Sequence, residues 1–143
     1  MTVQAILARK GSDVLTIEPA ADLASAVKIL SERRIGALVV TGADRRVVGI
    51  ISERDIVRTL GQRGAEAFGI PVSEVMTRRV VTCSTRDTVS EIMERMTAGK
   101  FRHVPVVEQD RLAGIISIGD VVKYRLEDMQ HESEVLHDYI RTA

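Results

Sequence analysis

The sequence feature that most restricts the fold is an internal repeat with an interval of 65 residues, between positions 49 and 114. The segment from Gly49 to Asp55 reads G-I-I-S-E-R-D, and it returns from Gly114 to Asp120 as G-I-I-S-I-G-D. Such self-similarity indicates two copies of one supersecondary unit. One copy is too small to bury its helix and sheet faces well, so we expect the two copies to pack together.

Hydrophobic periodicity predicts the same order of elements in both copies, namely strand, helix, strand, strand and helix. We expect a short helix before each copy, the first over Val3–Lys10, and a last helix that continues past the repeat to about Arg141. Asp22 and Thr88 are predicted helix caps. The helix after the first Ser-x-x-Asp is predicted to place Ile56, Val57 and Leu60 on one face. The expected division is residues 1–61 for the first repeat with its N-terminal helix, 62–71 for a linker, and 72–143 for the second repeat with an extended C-terminal helix. The predicted strands are Val14–Ile17, Ala37–Thr41 and Val47–Ile51 in the first copy, and Val80–Thr82, His103–Val107 and the Gly114 segment in the second.

The Ser-x-x-Asp pattern falls where a strand runs into a helix in each copy. A helix start exposes backbone N–H groups and the positive end of the helix dipole, which favours anions. An ionised Asp can also accept hydrogen bonds from a vicinal diol such as a ribose. The alternative interpretation is a capping box, in which the Ser caps the helix and the Asp favours its first turn. Both interpretations stay open, because one Ser can serve both roles.

Composition argues against several classes of protein. Lys and Arg together number 20, as do Asp and Glu, and aromatic residues make up 3% of the chain. Nucleic acid is therefore not expected as a partner, since binders of DNA or RNA usually carry a basic surplus or stacking aromatics. The single cysteine suits a reducing compartment, and no apolar run approaches the ~18 residues of a membrane span. We expect a soluble, cytoplasmic protein that does not contact a membrane.

The remaining reactive residues do not form a catalytic or metal-binding pattern. Cys83 is interpreted as a small core residue. His131 and His137 lie six residues apart, which is the wrong spacing for one helix face, so no metal is expected. No general base with a positioned partner can be named, and the sequence argues against an enzyme.

Several motifs together resemble a tandem pair of cystathionine-β-synthase (CBS) domains, and more closely the stand-alone bacterial CBS-pair proteins. The motifs are the doubled G-I-I-S-x-x-D, R-H-V-P-V-V from Arg102 to Val107, V-x-E-V-M from Val72 to Met76, and the paired Thr16 and Thr82. The resemblance implies an α/β (α+β) fold of two β-α-β-β-α repeats, packed with pseudo-two-fold symmetry.

The same resemblance implies a binding module for adenosine ligands, namely AMP, ADP, ATP, NAD(H) or S-adenosylmethionine, with no catalytic cofactor. Two clefts between the repeats would hold them. The first cleft would comprise Ser52, Asp55, Thr82, Arg102 and His103, and the second Ser117, Asp120, Thr16, Gly36 and Ala37. In the first cleft Arg102 would bind the phosphate through two hydrogen bonds, and His103 would add a donor. Arg33, Arg34 and Arg54 are candidates to supply a cation to the second cleft.

Two non-catalytic functions follow from these expectations. The leading hypothesis is a regulatory sensor in which a nucleotide shifts the repeats and so alters a surface read by an unknown protein target. The alternative is a dimerisation or interaction scaffold with vestigial clefts. We expect a homodimer, since the last helix carries an apolar stripe beyond the repeat.

Overall fold

The structure is a computed structural model and describes residues 1–142. Short 3-10 turns occupy Ala43–Arg45 and Gly64–Gly69. The helices and strands are α1 (Val3–Lys10), β1 (Thr16–Ile17), α2 (Leu23–Arg33), β2 (Ala37–Thr41), β3 (Val47–Ser52), α3 (Glu53–Arg63), α4 (Val72–Val75), α5 (Val89–Gly99), β4 (His103–Glu108), β5 (Arg111–Ser117) and α6 (Ile118–Thr142). This order confirms the predicted α/β (α+β) class and its two repeats.

Each repeat is built on an antiparallel hairpin. In the first repeat β1 runs parallel to β2, and β2 pairs antiparallel with β3. In the second repeat β4 pairs antiparallel with β5. The strand predicted at Val80–Thr82 does not form and is replaced by a single parallel bridge between Cys83 and Val106. The reason is that Val81 and Thr82 are exposed, and only Cys83 of this short run is buried.

The helix starts form where the sequence places capping residues. The Asp22 side chain accepts a hydrogen bond from the Ser25 N–H at 2.9 Å and so caps α2. Thr88 and Glu91 form a reciprocal capping box at the start of α5. Both caps confirm sequence predictions, because the side-chain oxygen satisfies a backbone donor that the first turn leaves unpaired.

Two hydrophobic cores form, and each takes in the short helix that precedes the other repeat. Val3 and Ile6 of α1 are completely buried in the core of the second repeat. Val72 of α4 and the adjoining Met76 belong to the core of the first repeat. We call α1 and α4 the leading helices. Their exchange makes each repeat complete only in the presence of the other.

The backbone contacts of the leading helices are reciprocal. The Val3 N–H donates to the Asp87 carbonyl at 2.9 Å, and the Val72 N–H donates to the Ala21 carbonyl at 2.8 Å. A side chain from each leading segment also packs on the first glycine of the repeated motif. Leu7 of α1 packs on Gly114, and Met76, which directly follows α4, packs on Gly49. A Cβ on Gly114 would overlap the Leu7 side chain, just as a Cβ on Gly49 would overlap Met76. These matching contacts give the two repeats their approximate two-fold relation.

The predicted apolar face of α3 needs one correction. Ile56 is buried and Leu60 is partly buried against the first core, as expected. Val57 is 67% exposed, because it lies one residue around the helix from Ile56.

The last helix, α6, extends far beyond the second repeat. Val121 and Tyr124 near its start are buried, whereas every residue from Met129 to Thr142 is exposed. Among residues 1–142, none of the helices combines the length and the apolar character that crossing a lipid bilayer demands.

The exchange of leading helices predicts that a change in α1 will destabilise the second repeat. Ile6→Ala removes a fully buried side chain, so we expect the free energy of unfolding to fall by about 2–5 kcal/mol. Val57→Ala removes an exposed side chain and should change it by less than about 0.5 kcal/mol. Urea denaturation of both variants measures the difference. A loss below about 1 kcal/mol for Ile6→Ala would contradict the packing.

Candidate functional site

The first Ser-x-x-Asp junction holds a buried carboxylate. Asp55 is only 6% exposed. It accepts the Ser52 N–H at 3.0 Å, while its own N–H donates to the Ser52 hydroxyl at 3.3 Å. Arg58 Nη2 donates to Asp55 Oδ1 at 2.9 Å, and Thr77 Oγ1 lies 3.4 Å from the same oxygen. The capping-box interpretation is thus confirmed here.

The second junction repeats the cap and adds a cation from far along the chain. Asp120 Oδ2 accepts the Ser117 N–H at 2.9 Å, and the Asp120 N–H donates to the Ser117 hydroxyl at 3.1 Å. Lys10 Nζ donates to Asp120 Oδ2 at 2.6 Å and to the Ile115 carbonyl at 2.9 Å. The carboxylate is partly enclosed, with 19% of the side chain exposed.

Asp120 is held in its ionised form by this arrangement. Burial by itself raises the pKa of the carboxyl, but the hydrogen bonds from Lys10 and Ser117 and the nearby ammonium charge outweigh it. The net result is a pKa below the ordinary value of 3.8. At neutral pH Asp120 is therefore an acceptor only, which is the state needed to receive hydroxyl donors.

Strand register groups the predicted site residues differently from the sequence-based expectation. His103 is paired with Ser117, and the Ile118 N–H donates to the Arg102 carbonyl at 2.8 Å. The strand start that carries Arg102 and His103 therefore lies beside the Asp120 junction, while the His103 imidazole also approaches Gly36 of the first repeat. The reason is that an antiparallel hairpin brings the start of its first strand next to the end of its second strand.

The same register acts in the first repeat. Ala37 is paired with Ser52, and the Glu53 N–H donates to the Gly36 carbonyl at 3.0 Å. Gly36 and Ala37 therefore lie beside the Asp55 junction, where the sequence had placed Arg102 and His103. Each junction also receives one residue from the leading helix packed on it or from the chain just beyond that helix. Thr77 reaches Asp55, and Lys10 reaches Asp120. Sequence reasoning missed both residues. The only signal for them was their position at the end of α1 and shortly after α4.

The two repeats meet closely at His103. A Cβ built on Gly36 would lie 3.6 Å from His103 Cε1 and 3.4 Å from Glu53 Oε1. A glycine at position 36 therefore lets the imidazole approach the first repeat. Burial is the main cause that lowers the pKa of His103 below 6.5, opposed by the charges of Asp120 and Glu53 and assisted by those of Lys10 and Arg102.

Lys10, Arg102 and His103 all belong to the Asp120 junction, the last two at the start of β4 opposite Ser117, and we call these three residues the basic cluster. Lys10 contacts the carboxylate directly, and the charges of both Lys10 and Arg102 act on His103. The arrangement offers one acceptor for hydroxyls and up to three donors for an anion within one small region.

Three further predicted site residues are Thr16, Thr82 and Arg54. Thr16 is half-buried in β1, where it pairs with Val39. Thr82 is exposed, and its carbonyl accepts a long hydrogen bond of 3.5 Å from Arg95. Arg54 is exposed in the first turn of α3.

The position of Cys83 agrees with the sequence-based interpretation. Cys83 lies in the second core, and burial raises the pKa of its thiol to about 12, which is the behaviour of a core residue rather than a nucleophile. Within residues 1–142, no three His, Cys, Asp or Glu side chains come together in a group that could hold a metal ion.

Comparison with known proteins establishes the family. The CBS domain model matches residues 5–62 and 72–127, and the chain therefore belongs to the CBS domain family as a tandem pair. A CBS-domain containing protein from Agrobacterium tumefaciens is 50% identical and has a TM-score of 0.83, over 87% of this chain and 92% of that one.

Two further relatives bear on function. The mitochondrial CBS domain-containing protein CBSX3 of Arabidopsis thaliana is 33% identical over 81% of this chain, and this chain spans 58% of its length. The CBS domain pair of protein MJ0100 is 26% identical, with a TM-score of 0.79 over 90% of this chain and 98% of that one. Its structure was solved in complex with 5′-methylthioadenosine and S-adenosylmethionine.

The burial of His103 predicts a dependence of stability on pH. Its pKa is lower in the folded protein than the 6.5 of an exposed imidazole, so the unfolded chain binds the proton more readily. The stability that neutral His103 contributes is therefore fully present above pH 6.5. The free energy of unfolding decreases as the pH drops from 6.5 towards the pKa of His103 in the folded protein. Urea denaturation should show wild-type stability falling below that pH, and falling less steeply in His103→Gln.

His131→Gln is the matched control, because His131 is exposed on α6. This variant should keep the wild-type dependence on pH. Equal slopes for His103→Gln and the wild type would show that His103 is not the group responsible.

Proposed function

We propose that this CBS pair is a non-catalytic regulatory module that binds adenosine ligands at its two Ser-x-x-Asp junctions. The observation that carries the proposal is the duplicated carboxylate, held by a capping box at each strand-to-helix junction. The complex of the related MJ0100 pair with two adenosine compounds supports the ligand class. In each junction the Asp carboxylate would accept hydrogen bonds from the ribose hydroxyls.

The Asp120 junction is the stronger candidate for a ligand with a phosphate group, such as AMP, ATP or NAD(H). The basic cluster lies beside Asp120 and can donate charge-assisted hydrogen bonds to phosphate oxygens. The Asp55 junction has Gly36 and Ala37 at the corresponding positions, and its guanidinium, Arg58, comes from its own helix. This assignment of the phosphate to the Asp120 junction replaces the one expected from the sequence.

A signal can arise because each junction includes a residue from the opposite repeat's leading segment. Asp55 contacts Thr77, and Asp120 contacts Lys10. A ligand that forms hydrogen bonds with either carboxylate must displace one of these contacts between the two repeats. The equilibrium between arrangements of the repeats would then shift by the difference in ligand affinity for them. A protein target would read this change at the surface.

Ligand titration tests both the ligand class and the choice of junction. At about 100 times its dissociation constant, AMP should raise the free energy of unfolding of the wild type by about 2.7 kcal/mol. Asp120→Asn should abolish the tight binding of AMP, whereas Asp55→Asn should leave it. Calorimetry and thermal melting measure these effects. The absence of any melting shift with millimolar AMP, ATP, NAD or S-adenosylmethionine would overturn the proposal.

Two arginine-to-alanine variants, one at Arg102 and one at a distant arginine, test the proposed phosphate contact. Arg102→Ala should weaken AMP about ten-fold or more, because a charge-assisted hydrogen bond is lost, and leave adenosine nearly unchanged. Arg111→Ala removes an equal charge from the exposed start of β5 and should alter neither ligand. An equal loss of both ligands in Arg102→Ala would make Arg102 structural.

The alternative function, a dimerisation module, is supported by α6. Its exposed apolar side chains recur at heptad spacing, interrupted once at Ser133, and an apolar seam of this kind is typical of helices that pair with another helix. Arg125 and Glu132 carry opposite charges and flank the seam one heptad apart. The residues of the seam are Val122, Leu126, Met129, Leu136 and Ile140. We propose that two copies of the chain pair through it.

Sedimentation tests the pairing of α6. Leu136→Glu places a charge in the seam and should convert a dimer at tens of micromolar into a monomer. Val135→Glu changes a neighbouring residue that is nearly as exposed, at 54% against 60%, but lies off the seam; this control should remain dimeric. A monomeric wild type, or dissociation by both variants alike, would contradict the proposed seam.

A further inference from the structure

One contact at the Asp120 junction is not explained by the fold alone. Lys10 is the last residue of α1, and its ammonium crosses to the second repeat to contact Asp120 and the Ile115 carbonyl. Lys10 and Asp120 are 110 positions apart in the sequence. The ammonium uses the same carboxylate that would receive the ribose.

The leading helix does not need this contact to stay in place. Val3 and Ile6 anchor α1 in the second core. Arg9 Nη1 also pairs with Glu127 Oε2 of α6 at 3.2 Å, and its guanidinium lies 5.8 Å from the centre of the Tyr124 ring. The Lys10 side chain can therefore leave Asp120 while α1 remains packed, since a four-carbon stem with rotatable bonds allows the ammonium to reorient locally.

We infer that Lys10 is a specificity-determining latch of the Asp120 junction, an inference that rests on the proposed function. With no ligand phosphate nearby, the ammonium stays on the carboxylate and competes with ribose hydroxyls. A ligand that brings a phosphate offers the ammonium a second anion, so the ammonium moves from Asp120 to the phosphate as the ribose takes the carboxylate. Nucleoside phosphates are selected over the bare nucleoside because only they compensate the loss of the Lys10–Asp120 pair.

The Asp55 junction lacks this device. Its cation, Arg58, is three residues along the same helix from Asp55, and the exposed part of its side chain is 59%. An ion pair within one helix does not connect the repeats, and it contributes little free energy when its cation is exposed to water. The latch therefore separates the two junctions by mechanism as well as by charge.

The test measures AMP and adenosine in parallel by calorimetry, in an Asp55→Asn background so that only the Asp120 junction reports. Lys10→Gln should tighten adenosine about three-fold, because the competitor for the carboxylate is gone. The same variant should weaken AMP about ten-fold, because the phosphate loses a donor. Lys10→Arg keeps the charge and should retain the preference for AMP.

Lys28→Gln is the charge-matched control, since Lys28 is exposed on α2, and it should behave as the unmodified background. Opposite changes for the two ligands in Lys10→Gln support the latch, because a merely structural lysine would shift both in one direction. Binding that persists with an unchanged ratio of AMP to adenosine affinity overturns the latch and leaves the proposed function intact. The absence of binding by either ligand in the wild type overturns the proposed function itself.

Discussion

The exchange of leading helices is the interaction on which the rest of the structure depends. Each repeat has a hairpin and helices of its own, but its core closes only when the leading helix of the other repeat packs onto it. Gly49 and Gly114 permit this contact because a side chain at either position would occupy the space of Met76 or Leu7. The two repeats consequently fold as one cooperative unit.

This exchange also decides what surrounds the two carboxylates. The end of α1 lies at Asp120 and the chain that leaves α4 passes Asp55, so these two places supply Lys10 and Thr77. The capping boxes fix the carboxylates in place, since a partly buried charge needs hydrogen-bonded partners. One junction thus receives the ammonium of Lys10 and the other the neutral hydroxyl of Thr77.

Sequence reasoning recovered the elements where local chemistry decides them. The caps at Asp22 and Thr88, the helix Val3–Lys10 and the strand Ala37–Thr41 lie where the patterns predicted them. It failed at Val80–Thr82, because strand formation there depends on burial against a partner rather than on the β-branched composition of the run. It also did not show that His103 pairs with Ser117, because a family pattern does not show the register of a hairpin.

The sequence by itself determined that the chain is a duplicated unit and that each copy carries a Ser-x-x-Asp pattern where a strand runs into a helix. These properties depend on spacing and on contacts within a few residues. Only the tertiary structure decided which cations stand beside which carboxylate. The contact of Lys10 with Asp120 joins positions 110 residues apart, and such a contact exists only because the leading helix packs on the opposite repeat.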